Sequence, residues 1–148
     1  MKAALFALVA LVLSTPFANA GSSVTTLACS STSGKTIISG YLPGQGEMGV
    51  QLNVSVGKEM RILSNENSGS KMVAEVDLNA KKQSVEIKVD DGHFKFILKS
   101  ADAARTKLTK TGNGVSGSFI GLMTGTHPGN WEPIKSPIEV RCYVTDEI

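Results

Sequence analysis

The sequence predicts an all-β domain, a small antiparallel β-barrel with a two-sheet β-sandwich as the alternative, held by one disulfide. Three observations predict it. Apolar residues alternate with polar ones at a period of two in segment after segment, the pattern of strands with one buried face. Gly, Asn, Asp and Pro separate these segments at short, regular intervals, as in barrels and sandwiches. Apolar spacing of the helical kind is nearly absent.

The chain of 148 residues opens with Met1-Lys2, an apolar run from Ala3 to Leu13, and the small-residue ending Ala18-Asn19-Ala20. This is the layout of a secretory signal peptide over residues 1–20, cut between Ala20 and Gly21. The run is shorter than the roughly 20 residues that span a bilayer, and no later segment approaches that length. Gly21 follows the cleavage point, where a lipid anchor would require cysteine. The expected product is one exported β domain over residues 21–148, periplasmic or secreted and not membrane-spanning. That length holds a single core.

Cys29 and Cys142 are the two cysteines, and in an oxidising compartment they are expected to pair. Closing so long a loop stabilises a fold by about 4 to 5 kcal/mol as an upper, model-dependent figure. Without C-x-x-C spacing the pair reads as structural. The 15 Lys and Arg nearly balance the 13 Asp and Glu, with no basic run. That balance argues against nucleic acid as the partner.

In chain order, strands are expected at Leu27 to Ser31 and at Thr36 to Leu42. Next comes Val50 to Val56, with Val50, Leu52, Val54 and Val56 on one face and Gln51, Asn53 and Ser55 on the other. Glu59 to Leu63 follows. Three segments then form a meander: Met72, Ala74, Val76 and Leu78 inward; Val85, Ile87 and Val89 inward; Phe94, Phe96 and Leu98 inward. Asn79-Ala80-Lys81-Lys82 joins the first pair. Asp91-Gly92 joins the second and suits the positive backbone angles of a type I′ turn. Ser100 to Ala104 reads as one serine-capped helical turn or a plain loop. Thr106 to Lys110, Val115 to Met123 and Ile138 to Thr145 complete the set. Cys29 shares a face with Leu27, and Cys142 with Ile138, Val140 and Val144. A bond between them sets the first and last strands side by side, as in a barrel, or across the core, as in a sandwich.

Catalytic patterns are thin. Gly44-Gln45-Gly46-Glu47-Met48-Gly49 has dinucleotide-loop spacing, but Pro43 precedes it and a strand rather than a helix follows, so it reads as a hairpin loop. His93 and His127 are the two histidines, too few for a zinc enzyme when the cysteines are paired. Gly114-Val115-Ser116-Gly117 lacks the spacing and helix of a nucleophile elbow. Asp90-Asp91-Gly92 and Asp77-Leu78-Asn79 do not reproduce a calcium loop, and no carboxylate pair stands out for glycoside hydrolysis. Asn53-Val54-Ser55 is a glycosylation sequon on the polar face of its strand.

Two features carry functional expectations. The loop Thr124 to Pro133 holds the single tryptophan, Trp131, with His127, Asn130 and Glu132. A long loop on a rigid β scaffold suits recognition, and an exposed tryptophan suits contact with proteins or sugars. The plain structural reading is that Trp131 covers one end of the core. The second feature is the strand in which Gly117 and Gly121 share a face with Phe119. Inward glycines permit a bend, or leave room for an apolar ligand in a barrel. The sequence therefore predicts a non-enzymatic binding or interaction domain for a protein or glycan surface, with no cofactor. A carrier of an apolar small molecule is the alternative, and an unrecognised hydrolase comes third.

Overall fold

The computed structural model describes residues 24–43, 50–64 and 72–147. The expected signal peptide over residues 1–20, its expected cleavage point and the expected hairpin loop at Gly44–Gly49 lie outside the described residues. The described residues form ten strands: β1 (Val24–Ser30), β2 (Thr36–Pro43), β3 (Gln51–Val56), β4 (Glu59–Ser64), β5 (Val73–Asn79), β6 (Ser84–Asp90), β7 (Lys95–Ser100), β8 (Thr106–Thr111), β9 (Gly114–Gly125) and β10 (Ile138–Glu147). Each expected strand has its counterpart, with ends shifted by a few residues.

All ten join one antiparallel sheet in the order β4-β3-β2-β1-β10-β9-β7-β6-β5, curled into a half-barrel. β9 carries two strands in tandem along one edge: β7 pairs with Gly121–Gly125 and β8 with Gly114–Phe119. β8 thus continues the line of β7, and the path across the sheet has an odd number of positions. In an all-antiparallel path of odd width the two terminal strands, β4 and β5, run the same way. Their pairing would be parallel, which takes a crossover of about a dozen residues or more; here the connection is residues 65–72. Among the described residues β4 and β5 do not pair, and the curl stops short of closure.

The inward faces form one apolar cluster. Ile38, Leu52, Val54, Ile87, Phe94 and Phe96 are among its fully buried members, in the phase that the alternation predicts. In the middle of the sheet β1 pairs with β10, and Cys29 faces Cys142 directly. Their Cα atoms are 4.1 Å apart, the close spacing of a non-hydrogen-bonded antiparallel pair. Of the two arrangements open at the sequence level, the disulfide takes the side-by-side one.

One connection differs from expectation, and another takes the second of the two readings open to it. Between β6 and β7, Asp90 pairs with Lys95, so the two-residue type I′ turn is instead a four-residue loop, Asp91–Phe94. Only Gly92 has a positive φ, 89°, where type I′ needs two. The Asp91 side chain sets the shape, its Oδ1 accepting the amides of His93 at 3.0 Å and Phe94 at 2.6 Å. After β7 there is no helical turn capped by Ser100. Ser100 Oγ accepts the Val85 amide at 3.0 Å, and Asp102 closes the bend by accepting the Arg105 amide at 2.8 Å. The open side of β8 is met by Gln83, whose side-chain amide exchanges hydrogen bonds with both backbone groups of Leu108.

Because the disulfide joins strands 113 residues apart in sequence, replacing both cysteines, Cys29→Ser with Cys142→Ser, is expected to lower unfolding stability by about 2 to 5 kcal/mol. Urea unfolding of the oxidised wild type against the double variant measures it. A difference under about 1 kcal/mol would show that the β1–β10 pairing holds without the bond.

Candidate functional site

The loop between β9 and β10 folds over one end of the half-barrel. Its base is stitched to β7: the Thr126 amide donates to the Lys95 carbonyl at 2.8 Å, and the Lys95 amide to Thr126 Oγ1 at 3.0 Å. A bridge between Thr126 and Pro133 and a 2.9 Å bond from the Ile134 amide to the Gly125 carbonyl close the neck. Inside it, the Trp131 amide donates to the His127 carbonyl at 3.2 Å and the His127 amide to the Glu132 carbonyl at 2.7 Å. Asn130 Oδ1 accepts the Glu132 amide at 3.0 Å. The loop is internally bonded, and Trp131 ends its tight turn with φ 61°, a left-handed conformation uncommon for a bulky residue.

Two other elements meet this loop. β4 contributes Glu59 and Arg61. Glu59 packs against Gly129, where a Cβ would come within 2.9 Å of its side chain, and its Oε2 lies 3.6 Å from His127 Nδ1. The Arg61 guanidinium carbon stands 4.9 Å from the Trp131 ring centroid, within cation–π range. From the β6–β7 loop, the His93 ring lies 6.3 Å from Trp131 at a tilt of 41°. Trp131 itself is 39 % exposed and belongs neither to the apolar cluster nor to the residues packed on it.

Arg61 is fixed in turn by Asp91. Its Nη2 and Nε donate to Asp91 Oδ2 at 2.5 and 3.1 Å, and the Asp91 side chain is wholly buried. Burial pushes the Asp91 pKa up. The Phe94 amide, the Arg61 guanidinium and the His93 amide push it further down, so the carboxyl ionises below the usual aspartate value.

Of the residues expected from sequence, Trp131, His127, Asn130 and Glu132 fall together here, Trp131 as the exposed ring and Asn130 as a brace within the loop. Glu59, Arg61, Asp91 and His93 were not expected in the site, because they come from β4 and the β6–β7 loop. The signal that could have found Arg61 lies in its pairing rather than in the residue itself: a two-residue turn at Gly57-Lys58 sets it opposite Val54, a core residue, so its charge faces inward and needs an answer.

Gly117, Phe119 and Gly121 lie away from this end, along β9. A Cβ at Gly117 would meet the Lys107 carbonyl at 1.9 Å, and one at Gly121 would meet Leu98 Cδ1 at 2.6 Å and Phe119 Cε2 at 3.1 Å. The first glycine lets β8 approach; the space beside the second is filled by side chains. A groove of about 240 Å³ on the outer side of β5–β7 is lined by Val73, Glu75, Lys88 and Lys95 among others, with Lys88 paired to Glu75 and Glu86. Among the described residues no three His, Cys, Asp or Glu side chains are placed to hold a metal ion. Comparisons with protein-family models, with curated proteins and with solved structures find no match.

Since the folded pKa of Asp91 is depressed, its contribution is full above the unfolded carboxylate value of about 3.9 and is lost as pH falls through the lower folded value. Asp91→Asn keeps an acceptor for the two amides and removes the charge. It is expected to be less stable than wild type by about 1 to 3 kcal/mol at pH 7, the gap narrowing below about pH 4. Thermal unfolding across pH 7 to 2 reads this; a gap that stays constant would remove the charge from the explanation.

Proposed function

We propose that the protein is an exported, non-enzymatic binding module whose contact surface is centred on Trp131 and engages a protein or glycan surface. One observation carries the reading: an exposed tryptophan in a left-handed backbone conformation has its ring in contact range of Arg61 and His93, outside the core. Backbone strain of this kind, about 1 to 3 kcal/mol per residue, persists where the surroundings enforce it and concentrates at functional positions. A ring fixed before contact loses little further entropy on binding, and Trp and Arg are the residues that most often dominate binding energy. Export is supported by the signal-peptide layout of residues 1–20 and by the paired cysteines, which persist in oxidising compartments.

Trp131→Ala tests the proposal. Removing the ring forfeits a cation–π contact of about 0.5 to 1 kcal/mol, so stability is expected to change by no more than about 1 kcal/mol. Retention of a partner from the protein's own exported compartment on the immobilised mature chain is expected to fall at least about 30-fold, the scale of a hot-spot residue. A loss of several kcal/mol in stability would assign Trp131 to the core, and undiminished retention would move the contact surface elsewhere.

A further inference from the structure

The two terminal strands of the sheet are not alike. β3 and β4 are joined by the two-residue turn Gly57-Lys58, with Val56 facing Glu59, Val54 facing Arg61 and Leu52 facing Leu63. The pair that closes such a turn is hydrogen-bonded, and antiparallel pairs alternate. Glu59, Arg61 and Leu63 therefore direct their amides and carbonyls at β3, while Met60 and Ile62 direct theirs away from the sheet. Among the described residues nothing pairs with those groups. The same two residues carry the exposed apolar side chains of the strand, Met60 at 62 % and Ile62 at 47 %.

Sheet edges are normally guarded by outward charge, proline or a bulge. β5, the other terminal strand, follows that rule with exposed Glu75 and Asp77. β4 does not. It has no proline, its register with β3 is unbroken, and its two charges turn inward, Glu59 to His127 and Arg61 to Asp91. A singly exposed apolar side chain needs no explanation; two of them on the residues whose backbone groups are unpaired, on an unguarded edge, do.

We infer that β4 is a strand-addition edge that receives an extended segment of a partner polypeptide, with apolar side chains at alternate positions lying over Met60 and Ile62. Unpaired amides and carbonyls along an edge select an extended backbone, and alternate side chains supply specificity. The inference deepens the proposed binding role and rests on it: a six-residue strand buries too little for an interface of about 1,200 to 2,000 Å², and Arg61, which links β4 to Trp131, makes edge and ring one continuous surface.

Amide hydrogen exchange by NMR on the disulfide-bonded mature protein tests it, with a synthetic nonapeptide of alternating valine and threonine between lysine ends as probe. In the free protein the Met60 and Ile62 amides are expected to exchange far faster than those of Arg61 and Leu63. The peptide is expected to slow both by at least about tenfold, its alternately N-methylated counterpart to have no effect, and Ile62→Lys to abolish the protection. No protection at millimolar peptide overturns the inference. So does slow exchange in the free protein, which at every concentration means an edge covered by the chain itself and at high concentration alone means a second copy. The underlying reading fails separately: Trp131→Ala retaining its natural partner while the peptide still protects β4 removes the ring and leaves the edge.

Discussion

A charged carboxylate sealed from water has to be matched, and much of this structure follows from how Asp91 is matched. Two of its partners are amides in its own loop, which is why the β6–β7 connection is wider than its Asp-Gly sequence suggests. The third is Arg61, from the opposite end of the sheet. Desolvation of a buried pair largely offsets its Coulombic gain. Its clearest effect here is placement: it ties β4 to the β6–β7 loop and holds a guanidinium where the Trp131 ring can lie against it.

That tie matters because among the described residues the backbone supplies none at the same place. With β8 stacked in line with β7 along β9, the path across the sheet is odd, and its terminal strands cannot meet antiparallel. The disulfide fixes the middle of the sheet, at β1 and β10. β4 is tied by side chains instead, through Arg61 to Asp91 of the β6–β7 loop and through Glu59 to Gly129 of the β9–β10 loop. A fold of this kind leaves β4 as a terminal strand and sets an exposed tryptophan beside it.

The strands were legible in the sequence because each is a run of alternating polarity, a local signal that tertiary context did not override. The side-by-side disulfide was one of two arrangements the strand phases allowed. Closure was not legible, since it depends on whether β8 adds a position or extends one, and Thr106 to Lys110 reads the same in either case. In the loop, Trp131, His127, Asn130 and Glu132 were found because they are neighbours in sequence. Arg61 and Asp91 were missed because 30 residues separate them and each looks ordinary alone. In β4 the polarity itself misleads: Met60 and Ile62 have the pattern of a core face, yet the Gly57-Lys58 turn puts Arg61 and Leu63 on the inner side.

The binding surface proposed around Trp131 depends on that inward arginine being held, so the coupling between Arg61 and Asp91 is the quantity to measure. A double-mutant cycle of Arg61→Gln and Asp91→Asn, followed by urea unfolding at pH 7, isolates it from the separate effects of each change. Side chains in one buried network couple by about 0.5 to 3 kcal/mol, and a value of at least about 1 kcal/mol is expected here. Additivity within about 0.5 kcal/mol would contradict the assignment of Asp91 as the group that holds Arg61 and, through it, the site.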